Sequence, residues 1–479
     1  MSIKFGTSGW RGVISKEFTW DRAMSVVDAI SSRLRETGHG SIAIGGDCRF
    51  LSPELSEAAA ERMAELGFTV YLSERPVPTP VLSHGCRSMK LGGVINFTAS
   101  HNPPLYNGIK FSPWHGGPAS GEDTGRIEEL TAEENSPERV SGGKVIPRDF
   151  ITPYLKEIDG FLNTEAFRRT DSLRVVYDAF SGAGSGVLDK KLIELGGAVR
   201  MLNGTRDPLF AGRQHPEPNA AGLSDLSLSV RRSGASLGLA TDGDADRFGI
   251  VDEEGSFVTP HDFMALLVEY LADSGATGRV VRSITTGSIV DRAAKARGLE
   301  VMVTPVGFKH LGAEILQGGV LLAGEESGGL STGSHVPEKD GILAGLLAAE
   351  MVCHHGRGLG ELLRDMWSRH GRLYNTRVDL PLDSEMRSRI VTELFEKDKR
   401  EAAGLQVTGI DRTDGVKLSL GDDTWVLVRL SGTEPLARIY VQSPSEQENR
   451  RIEEAMSGEF REGGNEARHR NPVHSHKLH

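Results

Sequence analysis

The chain has 479 residues, 38% hydrophobic and 25% charged, enough apolar material for about three or four domains. Its formal net charge of −11 argues against nucleic-acid binding and against docking on an anionic membrane, so an anionic ligand would need local arginines and backbone N–H groups. Cys48, Cys86 and Cys353 are the only cysteines and form no CxxC, which suits a reducing compartment and argues against structural zinc.

The amino terminus, MSIKFGTSGWRGV, lacks a basic-then-apolar signal pattern. The longest apolar run, ILAGLLAA at 342–349, is far too short to span a bilayer, and the expectation is a cytoplasmic protein. Thr7, Ser8 and Arg11 stand among glycines near the start, a modest anion-binding pattern. A unit then recurs. SIAIGGD (41–47) is followed by PELSEAAAERMAELG and FTVYL; RVVYDAFSGAGSG (174–186) by VLDKKLIELGG and AVRML; RVVRSITTGS (279–288) by IVDRAAKARG and LEVMVTP. Each copy reads as strand, polar or Gly-rich loop, helix, terminal glycine, strand. Each is a βαβ unit of a mainly parallel sheet, in which ligands sit at the carboxyl ends of strands.

Polar TAEENSPERVSGGK (131–144) and the tight turn VDEEGSF (251–257) mark seams, and beyond residue 370 the pattern changes to YNTRVDLPLD, GVKLSL, TWVLVRLSG and ARIYVQ, short strands around one or two helices. The expected class is α/β: three similar α/β domains with mixed, mainly parallel sheets at 1–147, 148–254 and 255–370, and a smaller α+β domain at 371–460. The tail 461–479 lacks apolar content and reads as disordered, its histidines (His469, His474, His476, His479) as solvated.

The stretches that carry chemistry follow one another along the chain. In NFTASHNPPLYNGIKF (96–111), Ser100 beside His101 invites a hydrolase reading. Neighbouring side chains of an extended chain point apart and G-x-S-x-G is absent, so His101 is a poor base. A turn network of Thr98, Ser100 and Asn102 ahead of Pro103 explains the stretch equally well. SGAGSG (181–186) has the spacing G-x-G-x-G, and no acid ends the next strand, so it reads as a turn rather than a dinucleotide site. LATDGDADRFGIVD (239–252) is far more specific. Asp242, Asp244 and Asp246 would repel one another unless a cation neutralised them, and three oxygen ligands suit a divalent metal such as Mg²⁺. Arg247 could meet an anion held by that metal. With Glu253 the aspartates match an EF-hand loop, but Arg247 stands where that loop needs glycine, and strands flank it. In LLAGEESGGLSTGSHVPEKDG (321–341), Glu325, Glu326 and Ser327 suit sugar hydroxyls, with His335 and Lys339 as titratable neighbours; a polar loop capping the next helix is the equal alternative. In VLVRLSGTEPLARIY (426–440), Arg429, Ser431, Gly432, Thr433 and Arg438 suit a phosphate, against a plain hairpin turn.

Together, TASHNP, DGDADR, GEESGG and RLSGTEP, in this order over about residues 1–460, resemble the α-D-phosphohexomutase family of phosphoglucomutases and phosphomannomutases. The resemblance implies four domains around a central cleft and a reversible shift of phosphate between O1 and O6 of a hexose phosphate, glucose or mannose. Hexose 1,6-bisphosphate would be the intermediate and activator. Ser100 would be the phosphoserine, and Mg²⁺ would be held by Asp242, Asp244, Asp246 and a phosphate oxygen on Ser100. Glu325 and Ser327 would hold sugar hydroxyls. Arg429, Ser431, Gly432 and Thr433, with Arg438 on the returning strand, would hold the phosphate not being transferred. Arg11, Lys110 and Arg247 match charge-stabilising residues, and Lys339, with His335 nearby, the general acid/base. Gly329 stands where dual-specificity bacterial members often carry histidine, and SHVPEKDG looks more like the phosphoglucomutase branch. The alternatives are a phosphoglucosamine mutase, for which GEESGG in place of GEQSGH is a poorer match, a Mg²⁺-dependent sugar phosphatase, and a non-catalytic sugar-phosphate-binding protein. The expected assembly is a monomer or homodimer.

Overall fold

The three recurrent segments each form a strand, a helix and a second strand beside the first. The structure, a computed structural model, describes residues 3–6, 9–133, 137–169, 173–431 and 435–468, with side chains described through residue 460. The first layer contains β1 (Trp10–Val13), α1 (Trp20–Glu36), β2 (Ser41–Gly46), α2 (Ser52–Glu65), β3 (Thr69–Ser73), α3 (Thr79–Ser88), β4 (Gly93–Phe97), β5 (Tyr106–Pro113), α4 (Gly121–Ala132) and β6 (Lys144–Arg148). Its sheet has the order β1-β5-β4-β2-β3-β6. β4, β2, β3 and β6 run parallel, and β5 is antiparallel to both β1 and β4.

The second layer holds α5 (Ile151–Glu157), α6 (Thr164–Arg168), β7 (Arg174–Asp178), α7 (Leu188–Glu194), β8 (Ala198–Leu202), α8 (Ser224–Ser233), β9 (Leu237–Thr241), β10 (Phe248–Val251) and β11 (Phe257–Val258). β8, β7 and β9 are parallel, and β10 and β11 continue the sheet antiparallel. The third holds α9 (Pro260–Asp273), β12 (Arg279–Ser283), α10 (Ile289–Ala296), β13 (Val301–Thr304), α11 (Phe308–Gln317), β14 (Val320–Glu325), β15 (Gly329–Thr332), α12 (Gly341–His355) and α13 (Leu359–His370), with strand order β13-β12-β14-β15. The helices α2, α7 and α10 are each followed by a glycine in the left-handed region, Gly67 (φ 87°), Gly196 (φ 96°) and Gly298 (φ 67°). There the absent Cβ lets the chain turn back to the next strand.

The apolar run at 342–349 forms most of α12, which is buried nearly throughout. It packs on β9 and β10 of the second layer and β15 of the third, the placement required of a helix apolar on every side. Among the described residues no helix is long and apolar enough to cross a membrane.

The last domain contains β16 (Tyr374–Pro381), α14 (Ser384–Ile390), β17 (Glu401–Ala402), β18 (Leu405–Gln406), β19 (Gly409–Asp411), β20 (Val416–Ser419), β21 (Trp425–Leu430), β22 (Leu436–Ser443) and α15 (Glu446–Arg468). Its main sheet, β16-β22-β21-β20-β19, is antiparallel throughout. Contacts divide the chain into two units, residues 1–283, 293–303 and 307–366 in one, and 284–292, 304–306 and 367–479 in the other. The helix α15 enters the stretch expected to be disordered and runs to Arg468. Ile452, Met456 and Phe460 anchor it in the core, and propagation past a packed helix needs no new nucleus. Residues 469–479, with the four tail histidines, lie outside the described residues.

Candidate active site

Ser100 lies in the loop between β4 and β5, and its backbone is left-handed (φ 51°). Thr98 Oγ1 accepts the Ser100 N–H at 2.9 Å and donates to Asp47 Oδ2 at 2.6 Å, and the Asn102 N–H reaches Ala99 O at 3.0 Å. The turn network anticipated from the residue types is thus present. The extended geometry assumed for His101 is not: the turn brings His101 Nδ1 to 3.4 Å from Ser100 Oγ. The serine hydroxyl instead donates to Asp242 Oδ2 at 2.6 Å. Burial, reinforced by Arg247 and Arg11, holds the His101 pKa well below its usual value, so the ring is neutral.

Sequence reasoning missed Arg49, which holds this loop. Its side chain is fully buried. Nη1 donates to Pro103 O (2.8 Å) and Tyr106 O (2.9 Å), and Nη2 to Ser100 O (2.7 Å) and Asn102 O (2.5 Å). Nε lies 3.5 Å from Asp47 Oδ2, and the guanidinium sits 4.8 Å from the Phe210 ring centroid. Burial lowers the Arg49 pKa to about 10 and raises that of Asp47 to about 6. The available signal was position, since GGDCRF follows β2 at the carboxyl end of a central parallel strand.

Asp242, Asp244 and Asp246 occupy the turn between β9 and β10, which pair antiparallel. All three are buried, with ligand oxygens within 4.8 Å of one another. Flanking strands rule out the helix–loop–helix of an EF-hand. Asp244 Oδ2 accepts from Thr79 Oγ1 and Lys110 Nζ, both at 2.5 Å, and Asp246 Oδ2 from Lys110 Nζ at 2.7 Å. Oδ1 of Asp244 and of Asp246 is buried and has no hydrogen-bond partner among the described residues. Buried anionic oxygens without donors, aimed together, fit a hard divalent cation. Burial and the two neighbouring aspartates raise the Asp242 pKa well above the usual range. Burial also pushes Asp246 upward, but Lys110, Lys339 and Arg247 outweigh it and the net shift is down. The Arg247 N–H donates to Asp242 Oδ1 (3.1 Å) and its guanidinium to Glu217 (2.8 Å). Arg11, on β1, donates to Asn102 Oδ1 at 2.5 Å. The SGAGSG turn supports the aspartate loop, with Ala183 N–H on Gly243 O at 2.9 Å. A Cβ on Gly341 would lie 2.3 Å from Arg247 O, so glycine alone seats the start of α12 here.

Glu325 ends β14 and accepts the Gly307 N–H at 2.8 Å; Ser327 lies in the turn to β15. Lys339 Nζ is 3.1 Å from Asp246 and 3.2 Å from Glu338. Burial alone would lower the Lys339 pKa, but Asp246, Glu338 and Glu325 raise it, so its ammonium is held protonated. A Cβ on Gly329 would fall 2.3 Å from Lys339 Cδ. The missing side chain at 329 and the lysine at 339 are therefore one feature, since a histidine at 329 would displace Lys339. His335 faces other partners: its Nε2 meets Asp340 Oδ2 at 2.7 Å, Tyr154 OH donates to the same oxygen at 2.7 Å, and its ring packs edge-on to Phe161. The structure thus brings Lys339 to the aspartates and braces His335 in a separate buried network.

Burial, with Glu326 close by, raises the Glu325 pKa to about 7. The folded chain keeps this proton above about pH 4.5, where an unfolded glutamic acid releases it. Stability should therefore fall as pH rises between about 4.5 and 7, by roughly 3 kcal/mol from this group. Glu325→Gln should flatten that slope, as measured by denaturant titrations across the window; an unchanged slope would sink the assignment.

In the last domain Arg429 and Arg438 are cross-strand partners on β21 and β22. Arg429 Nη2 is 2.8 Å from Asp414, and Arg438 Nε is 3.8 Å from Asp379. The Ser431 N–H closes the hairpin on Leu436 O at 2.9 Å. Gly432 and Thr433 lie outside the described residues, as do Thr7 and Ser8.

The sequence matches four family profiles in order: phosphoglucomutase/phosphomannomutase α/β/α domain I over residues 2–138, domain II over 152–255, domain III over 259–370 and the C-terminal domain over 386–459. It is 31% identical over 472 residues to a phosphoglucomutase/phosphomannomutase of Thermococcus kodakarensis, covering 96% of this chain and 100% of that one. It is 34% identical to a "probable phosphoglucosamine mutase" of Methanopyrus kandleri, covering 94% and 96%. A crystal structure of a "putative phosphomannomutase" from Thermus thermophilus superimposes with a TM-score of 0.84 at 35% identity, over 95% of this chain and 98% of that one. The chain belongs to the phosphoglucomutase/phosphomannomutase family and is a phosphohexomutase, an intramolecular phosphotransferase.

Proposed function

We propose that the chain shifts phosphate between O1 and O6 of glucose or mannose phosphate, with Ser100 as phosphoryl carrier and hexose 1,6-bisphosphate as intermediate. The observation that carries this reading is the 2.6 Å hydrogen bond from Ser100 Oγ to Asp242, inside a cluster of buried aspartates ringed by Lys110, Arg11, Arg247 and Lys339. Phosphoryl transfer asks mainly for alignment and for positive charge around the moving group. In the phosphorylated form, the Ser100 Oγ–P bond breaks as a sugar hydroxyl bonds to phosphorus, and the proton that hydroxyl gives up is balanced by one taken up at Ser100 Oγ. The bisphosphate then turns and returns its other phosphoryl group to Ser100. Asp242, Asp244, Asp246 and a phosphate oxygen on Ser100 would hold Mg²⁺, which supplies neutralisation of phosphoryl charge. Lys339, held protonated, serves as acid toward a leaving oxygen, and His335 acts by bracing the segment that carries it. Glu325 and Ser327 hold sugar hydroxyls, and Arg429, Ser431, Gly432, Thr433 and Arg438 bind the phosphate that is not being transferred.

A second reading, phosphoglucosamine mutase, is favoured by the names of several curated relatives. Glucose, mannose and glucosamine 1-phosphates assayed side by side distinguish the two: turnover of the amino sugar alone rejects the first reading. Release of inorganic phosphate without isomer formation rejects both.

Chelation should abolish turnover and added Mg²⁺ restore it. Because a cation relieves repulsion among three buried carboxylates, Mg²⁺ at a hundredfold excess over its Kd should also stabilise the fold by about 2.7 kcal/mol. A melting temperature insensitive to Mg²⁺ contradicts the assignment of these aspartates.

A further inference from the structure

A cavity of about 400 Å³ opens beside the first layer and shares no lining residue with the aspartate cluster. It is lined by His39, Arg87, Lys90, Trp114 and His115, with the apolar side chains of Leu91 and, from α11, Leu316. Among the described residues no carboxylate lines it. Among the described residues, neither Arg87 nor Lys90 pairs with an acid. In a chain of net charge −11, such a concentration of uncompensated cations selects an anion. Trp114 is 59% exposed, and an indole face open to solvent beside cations suits a planar ring. The volume falls within the ~300–1,000 Å³ of small-molecule sites.

The cavity is wired to the catalytic segment. Arg87 Nη1 donates to His335 O at 2.8 Å. A Cβ on Gly117, two residues beyond His115, would lie 2.7 Å from Pro337 O. His335 and Pro337 precede Lys339, which pairs with Asp246 at 3.1 Å. An anion that draws on Arg87 therefore acts on the segment that places Lys339.

We infer that this cavity is a regulatory site for an anion carrying a planar ring, the chemistry of a nucleoside monophosphate. The ring stacks on Trp114, and the phosphate meets Lys90 and Arg87. Binding stands on the cavity alone; the effect on turnover rests on the proposed role of Lys339.

The test is calorimetric titration of the full chain with AMP, with adenosine and inorganic phosphate as separate probes, each with and without glucose 1-phosphate. One AMP per chain should bind, with either fragment at least about tenfold weaker. Lys90→Asn and Trp114→Ala should each weaken AMP about tenfold and leave AMP-free turnover unchanged. Asparagine is chosen because Lys90 is left-handed (φ 55°), a conformation asparagine tolerates. AMP should change the affinity for glucose 1-phosphate, and glucose 1-phosphate should change that for AMP by the same factor. No binding at millimolar AMP, binding indifferent to both substitutions, or complete displacement by glucose 1-phosphate each overturns the inference. AMP binding that depends on Lys90 and Trp114, in a chain that turns over no hexose phosphate, would instead retain the site and reject the mutase reading.

Discussion

Ser100→Ala is expected to yield a folded protein whose hexose phosphate turnover is lower by on the order of 10⁴ to 10⁶, the range for removing a covalent nucleophile. The fold should survive. The substitution removes the hydrogen bond from Ser100 Oγ to Asp242, worth about 1 kcal/mol, and the longer 3.4 Å contact with His101 Nδ1. Alanine takes over the positive φ of 51° that serine already occupies, so the backbone strain is nearly the same in both chains. The loss is small beside the ~5–15 kcal/mol of a typical domain. Asp242 keeps a second donor, the Arg247 N–H on Oδ1 at 3.1 Å. Intact-mass measurement after incubation with hexose 1,6-bisphosphate should show a phosphate increment on the native chain and none on the variant. Turnover above about one per cent of native, or an increment on Ser100→Ala, would sink Ser100 as the carrier.

Arg49→Met should have the largest effect on stability, a loss of about 3–5 kcal/mol, the range for removing one partner of a buried charge pair. Arg49 satisfies the carbonyls of Ser100, Asn102, Pro103 and Tyr106. Methionine fills much of the volume but leaves these oxygens without a donor and Asp47 without its cation. Arg49→Lys separates charge from geometry. A lysine keeps the positive charge, but its compact ammonium cannot reproduce the planar fork across four acceptors. It should recover part of the stability and little of the turnover, with kcat lowered more than KM, because the lost function is the aim of Ser100 rather than capture of the sugar. Chemical denaturation and steady-state kinetics on both variants check this. An Arg49→Met protein within 1 kcal/mol of native stability would show that the loop is held by other means, the double proline included.

Much of this was legible in the chain. The three βαβ units follow from local rules, an apolar strand, an amphipathic helix and a glycine where the chain turns back, and these act within about thirty residues. The triple aspartate was legible for the same reason: three acids at alternate positions after an apolar strand are a local oddity that burial alone would not tolerate. Lys110 could be singled out only through resemblance, and the geometry brings it to Asp244 and Asp246.

What could not be read depends on residues distant in sequence. Arg49 and the Ser100 carbonyl are 51 positions apart, and Thr79 and Asp244 are 165 apart; no periodicity links such pairs. The geometry of His101 escaped sequence reasoning because a left-handed serine follows from Thr98, Asp47 and Arg49 acting together, not from Ser100 itself. His335 and Lys339, four residues apart, are alike in sequence as titratable groups. The strand and helix units, their order and the types of chemistry carried at their ends follow from the residues in chain order, because those depend on side-chain pattern over short spans. Which group meets which, with Lys339 facing Asp246 through the space left by Gly329 while His335 turns to Asp340, emerges in the folded chain alone, because packing and charge compensation are settled between elements rather than within them.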